Sequence, residues 1–188
     1  IGYGASALGL VSSMPSGPGV IGDGMIAEIA SFIPPMVSSF LLTSKQGSEE
    51  IIHQQRRFRV NTIQICDRIE VKNYSRLREA LPGVGIVQVV HVSGEESVAE
   101  AVSLAGYVDA MLLDSGNQSL KVKELGGTGR THDWQLSKRI RESVNIPVIL
   151  AGGLNAHNVA DAIRQVGPFA VDVCSGVRTN GRLDEKKL

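Results

Sequence analysis

P-V-I-L-A-G-G-L-N at residues 147–155 and P-F-A-V-D-V-C-S-G-V at residues 168–177 each join a short, β-branched apolar run to a glycine-bearing turn. A third glycine stretch, G-G-T-G-R-T-H-D-W, occupies residues 126–134. Continuous apolar runs of strand length imply burial on both faces, as in a parallel sheet covered by helices. A glycine turn at a helix start exposes backbone N–H groups, which bind an anion through dipoles without needing lysine. Three such turns near the end of the chain decide between two architectures. A doubly wound sheet carries its phosphate loop after the first strand, whereas a (β/α)8 barrel carries it after strands seven and eight. The placement here selects the barrel and implies a phosphorylated small molecule.

Working outward, similar apolar runs stand at residues 7–12, 37–42, 62–66, 85–92, 110–114, 147–150 and 170–174, separated by longer amphipathic segments. Ser93 with Glu96 reads as a capping box, followed by Val98, Ala101, Val102 and Ala105 at helical spacing. Asn155 reads as the start of another helix, with the stripe Val159, Ala162, Ile163 and Val166 inward and Asp161 and Arg164 outward. Seven strands are legible where a closed barrel has eight. Residues 1–7 read as a helix end and glycine turn entering a strand, and residues 183–188 as a helix that has barely begun. The expectation is a single α/β domain over residues 1–188, a (β/α)8 TIM barrel. Its first strand and helix would precede Ile1, and most of its last helix would follow Leu188.

Composition narrows the function. Nineteen basic and nineteen acidic residues balance to zero net charge, so no basic face advertises nucleic acid. No apolar run approaches the ~20 residues of a membrane span. Cys66 and Cys174 belong to no C-x-x-C pair, and His53, His91, His132 and His157 are scattered, which points to a reducing, cytoplasmic setting and to no metal site or cofactor.

Four motifs in order carry a specific resemblance: L-L-D-S at 112–115, the 126–134 stretch, the 147–155 stretch and the 168–177 stretch. With looser support from G-A-S-A-L-G-L-V at 4–11 and N-T-I-Q-I-C at 61–66, the chain resembles the phosphoribosylanthranilate isomerases of tryptophan biosynthesis. The resemblance implies an Amadori rearrangement, aminofuranose phosphate to 1-amino-1-deoxyketose phosphate. That reaction needs an acid at the ring oxygen and a base at C2. By resemblance the acid is Asp114, at the C-terminal end of its strand, where burial and a phosphate dianion would both disfavour the ionised form. The motif alone leaves open an Asp that merely caps a turn. The family's base is a cysteine in K-x-C-G on the first strand, which would lie upstream of Ile1. Cys66 and Cys174 fall where the family has histidine and serine, and read as small fillers.

The same resemblance assigns phosphate contacts to Gly152, Gly153, Ser175 and Gly176, and a folding-over loop to Gly127 and Gly129 with Arg130 in place of a lysine. It places Asp172 and Gln64 at the substrate. His132, Asp133 and Trp134 read instead as anchors of the following helix. One departure stands out: S-G-P-G-V-I at 16–21 has Gly19 where the family has the arginine that meets the anthranilate carboxylate. Arg130 or main-chain groups are the expected substitutes. Two other readings stay open at this point. One is another phosphosugar-processing barrel, of the ProFAR isomerase or indole-glycerol-phosphate synthase type; the other is a non-catalytic phosphosugar-binding barrel, monomer or homodimer.

Overall fold

A computed structural model describes residues 1–188. Strands and helices alternate: β1 (Ala7–Val11), α1 (Asp23–Phe32), β2 (Ser38–Thr43), α2 (Ser48–Phe58), β3 (Thr62–Ile65), α3 (Val71–Ala80), β4 (Gly85–His91), α4 (Glu96–Leu104), β5 (Ala110–Asp114), α5 (Trp134–Ser143), β6 (Val148–Leu150), α6 (Val159–Val166) and β7 (Ala170–Val171). All seven strands pair in parallel, each with the next in sequence, and every connection between them carries a helix. The register climbs as the sheet is crossed. Thr62 opens β3 opposite Phe40, two residues into β2, and Ala110 opens β5 opposite Val87, two residues into β4. Such stagger curls a parallel sheet towards a barrel. The result is a curled seven-stranded α/β half-barrel with a helix layer outside.

The pleat sends alternate residues to opposite faces. Met111 and Leu113 of β5 join Ile63, Ile65, Ile86 and Val90 in the large core under the helices. Leu112 of the same strand faces inward with Cys66, Val87, Val89 and Ala151. Asp114, two residues beyond Leu112, therefore points to the same interior, at the end of the sheet where the strands finish. Burying the interior of a curled sheet with so few apolar residues leaves room for polar ones. Gln64, His91 and Asp114 are buried there or at its rim, while Gln88 is buried on the helix side, where it accepts the Tyr74 hydroxyl at 2.7 Å.

Several local expectations are corrected. Ser93 does not accept from a helix N–H; its hydroxyl donates to the Glu96 carboxylate. The capping acceptor is Ser97 Oγ, which takes the Ser93 N–H at 3.1 Å. Val102 is exposed rather than part of the stripe, and Ile163 likewise, because short helices present only two or three residues to the sheet. Asn155 begins a separate turn, accepting from the His157 N–H at 2.9 Å, and α6 itself starts at Val159. Residues 1–6 form a turn closed by Gly4 N–H to the Ile1 carbonyl, without a helix end. After β7 the chain makes a 3-10 turn (Ser175–Val177) and an antiparallel ribbon of β8 (Arg178–Thr179) and β9 (Arg182–Leu183). The expected terminal helix is a 3-10 turn over Glu185–Lys187, capped by Asp184 accepting from the Lys186 N–H.

Candidate active site

Asp114 ends β5 with only 7% of its surface exposed. Its Oδ1 accepts the Ser115 N–H at 2.7 Å, which fixes the carboxyl plane. No protein group donates to Oδ2. That oxygen faces Gly126, where an added Cβ would stand 2.7 Å from it. On the other side lies Gly152, where an added Cβ would stand 3.2 Å from Asp114 Oδ1 and 2.9 Å from His132 Nδ1. The carboxyl thus sits between two glycine turns contributed by the segments after β5 and β6, with one oxygen held and one free.

The glycines answer to conformation as well as to space. Gly152 and Gly153 adopt φ +82° and +64°, a region L side chains rarely occupy. A Cβ at Gly153 would lie 2.6 Å from the Arg130 carbonyl carbon, so the β6 turn is pressed against the 126–134 segment. At Gly176 an added Cβ would lie 1.8 Å from the Leu154 carbonyl oxygen, so the 3-10 turn after β7 is pressed against the β6 turn. Gly129 approaches Ser175 Oγ, at 3.5 Å from its Cβ position. The three glycine stretches, whose glycines stand 23 to 50 residues apart in sequence, therefore form one continuous rim.

The 115–133 segment is held down at several points. Ser115 Oγ bonds Thr128 Oγ1 and the Arg130 carbonyl, both at 2.7 Å. Lys123 Nζ pairs with the buried Asp67 carboxylate at 2.6 Å, and the Lys123 carbonyl accepts the Ser16 hydroxyl at 2.6 Å. Pro18 packs over Gly127, 2.7 Å from its Cβ position. At the far end Asp133 caps α5 by accepting the Gln135 N–H, and His132 Nε2 meets Ser137 Oγ at 2.7 Å. Burial, only partly opposed by the Asp114 and Asp133 charges, holds the His132 imidazole below its ordinary value and so neutral at pH 7. Its Nδ1, beside Gly152 and Asp114, has no hydrogen-bond partner.

Gln64 lies buried on β3, on the interior face shared with Cys66. Asp172 follows β7. Crowding of its carboxyl by protein atoms first, and the Asp114 charge second, raise it to about 6. The residue as a whole is nonetheless exposed at the sheet edge, so solvent screens much of what that shift contributes to stability. Cys66 is buried, and burial pushes its thiol up to about 12. Cys174 is half-buried and also raised, by burial first, with the Arg178 guanidinium opposing the shift. Neither thiol is poised as a thiolate. Arg130 is exposed and ion-paired with Glu124. Gly19 has φ +88°, and the atoms nearest its Cβ position are Val11 Cγ2 at 3.7 Å and Arg178 Nη2 at 3.9 Å.

Sequence reasoning passed over four residues here, Arg178, His91, Asp67 and Lys123. Arg178 directly follows the S-G-V turn. His91 is the register partner of Asp114, with Nε2 on the Cys66 carbonyl at 3.0 Å and Nδ1 unpartnered beneath Gly116; its i+2 spacing from Val87 and Val89 is the signal that finds it. The Asp67–Lys123 pair spans 56 residues and leaves no local trace.

Comparison with known proteins gives the family and the fold. A model of the N-(5'-phosphoribosyl)anthranilate isomerase family matches residues 41–188. The N-(5'-phosphoribosyl)anthranilate isomerase of Methanocella arvoryzae is 34% identical over 185 residues, covering 98% of this chain and 84% of that protein. The crystal structure of phosphoribosyl anthranilate isomerase from Thermotoga maritima superimposes with a TM-score of 0.82 at 28% identity, covering 99% of this chain and 85% of that one. A further such isomerase, solved in complex with reduced 1-(o-carboxyphenylamino)-1-deoxyribulose 5-phosphate, gives a TM-score of 0.80 at 27% identity, with 99% and 84% covered.

Proposed function

The chain belongs to the N-(5'-phosphoribosyl)anthranilate isomerase family, and from that premise we propose that Asp114 is the general acid of its rearrangement. The activity is the Amadori isomerisation of N-(5-phosphoribosyl)anthranilate to 1-(2-carboxyphenylamino)-1-deoxyribulose 5-phosphate, a step of tryptophan biosynthesis. An acid protonates the furanose ring oxygen as the C1–O bond opens to an iminium. A base then removes the C2 proton, and the resulting enaminol tautomerises to the ketose.

One observation carries the assignment: Asp114 is buried, with Oδ1 fixed by the Ser115 N–H and Oδ2 free of protein donors between two glycine turns. An acid held in that way delivers its proton to one place. Around it, backbone N–H groups of Gly152, Gly153 and Gly176 with Ser175 hold the phosphate, and Gly127 and Gly129 fold over it with Arg130 at the loop edge. Asp172 meets the substrate amine and Gln64 borders the ring. The Asp172 carboxyl, raised first by crowding of protein atoms and then by the Asp114 charge, fits two acidic groups facing the same end of the sheet.

Neither thiol of the chain, Cys66 or Cys174, is poised to act as the base, since burial raises both. Both β1 and β7 pair on one side only in the seven-stranded order, which is where an eighth strand closes a (β/α)8 barrel. The setting is cytoplasmic, and the active form is a monomer or homodimer. In the full-length protein, Asp114→Asn is expected to lower kcat by roughly 10²–10⁴-fold with KM little changed, followed as the decay of substrate fluorescence. Undiminished turnover would remove Asp114 from the acid's role.

A further inference from the structure

Anthranilate brings a carboxylate as well as an arene to the site, and a carboxylate leaving water needs a cation with paired donors. The strand-end loops offer few. Lys45 is paired with Glu50, Arg68 with Glu100, Lys123 with Asp67 and Arg130 with Glu124. Lys121 is fully on the surface side of its loop, exposed. Arg178 alone is half-buried and forms no ion pair; its one hydrogen bond runs from Nη1 to the Gly181 carbonyl at 3.1 Å. Nη2 is left over. It lies 3.9 Å from the Cβ position of Gly19, on the loop after β1, where the only other near atom is a Val11 methyl at 3.7 Å. The guanidinium also neighbours the Cys174 thiol but meets no carboxylate. A missing side chain bounded by one apolar methyl and a guanidinium edge without a carboxylate partner matches an arene that carries a carboxylate.

We propose that Arg178 is the residue that recognises the anthranilate carboxylate, approaching from the ribbon after the phosphate turn across the space opened by Gly19. The assignment rests on the isomerase reading above, which supplies the carboxylate. Position supports it further. Arg178 immediately follows Ser175–Val177, so one short segment would grip the phosphate through its turn and the aromatic acid through its next side chain. The ribbon is braced for this: the Thr179 hydroxyl donates to Asp184 at 2.6 Å, and the Lys187 ammonium donates to the Arg178 carbonyl at 3.0 Å.

The test compares two ligands by calorimetry on the full-length protein: reduced 1-(o-carboxyphenylamino)-1-deoxyribulose 5-phosphate, and the same compound lacking the carboxyl. Wild type is expected to prefer the carboxylated ligand by about ten- to hundredfold, as for a charge-assisted pair. Arg178→Met should reduce that preference to near unity while binding the decarboxylated ligand as wild type does, which also reports an intact fold. Arg178→Lys, which keeps the charge but not the fork, should fall between. Full preference retained in both variants overturns the assignment to Arg178 and leaves the isomerase reading standing. Wild type binding neither ligand overturns the isomerase reading itself, and this inference with it.

Discussion

Gly176→Ala should damage the rim more than any other single methyl. The Cβ would stand 1.8 Å from the Leu154 carbonyl oxygen, 2.9 Å from its carbon and 3.0 Å from Asn155 Cα, all backbone atoms that cannot swing aside as a side chain would. Relief requires the turns after β6 and β7 to part by roughly 1.6 Å, until the oxygen contact reaches the 3.4 Å of ordinary packing. Forcing extra volume into a packed contact costs about 1–3 kcal/mol. In a chain of this length, 1 kcal/mol moves Tm by about 2–4 °C, so a fall of about 2–12 °C is expected. The effect on function should be larger, because displacing a substrate-positioning group by ~1 Å costs on the order of 10²-fold in rate. Thermal melts and steady-state kinetics on the full-length protein measure both. Gly106→Ala serves as the control, since no atom lies within 4 Å of its Cβ position. If Gly176→Ala melted within about 1 °C of wild type and kept its kcat/KM, the two turns would not touch as described and the continuous rim would be refuted.

Three further outcomes follow from particular side chains. Asp172 has its folded value raised to about 6 from an ordinary 3.8, so the folded state binds the extra proton between those values and loses stability as pH rises through them. Asp172→Asn should therefore match wild type below pH 4 and melt higher above pH 6, by an amount reduced by the residue's exposure; a gap that grows towards acid would contradict this. Cys66→Ala should leave turnover within about threefold, and native Cys66 should resist iodoacetamide, because a buried thiol raised to about 12 offers little thiolate. Lys123→Met leaves the Asp67 carboxylate buried without its partner. Since Lys123 is itself partly exposed, a loss of about 1–3 kcal/mol in urea unfolding is expected, with a raised KM as the 115–133 segment loosens.

The seven strands and six helices were legible because each declares itself within a few residues: apolar runs for the strands, amphipathic spacing for the helices between. Burial on both faces holds for the central β4 and β5, while β1 and β7 at the edges are largely exposed. Asp114 was legible for the same reason, as a polar residue ending an apolar run. The helix starts at Ser93 and Asn155 were misjudged because several nearby oxygens can take the first N–H groups. Which one does depends on how the helix lies on the sheet, so Ser97 and a separate turn at Asn155 won.

Sequence alone determined the βαβ order, the glycine turns and the aspartate at a strand end, since these follow from periodicity and turn chemistry over a few residues. Only the tertiary structure decided that Gly153 and Gly176 are required by backbone pressing on backbone, and Gly152 by the His132 and Asp114 side chains at its Cβ position. Likewise, only folding brings the Arg178 guanidinium to Gly19, 159 residues earlier. The physical reason is the curl of the sheet. Its stagger sets which loops converge where the strands end, and that stagger is summed over all the strand pairings, so no local stretch records it.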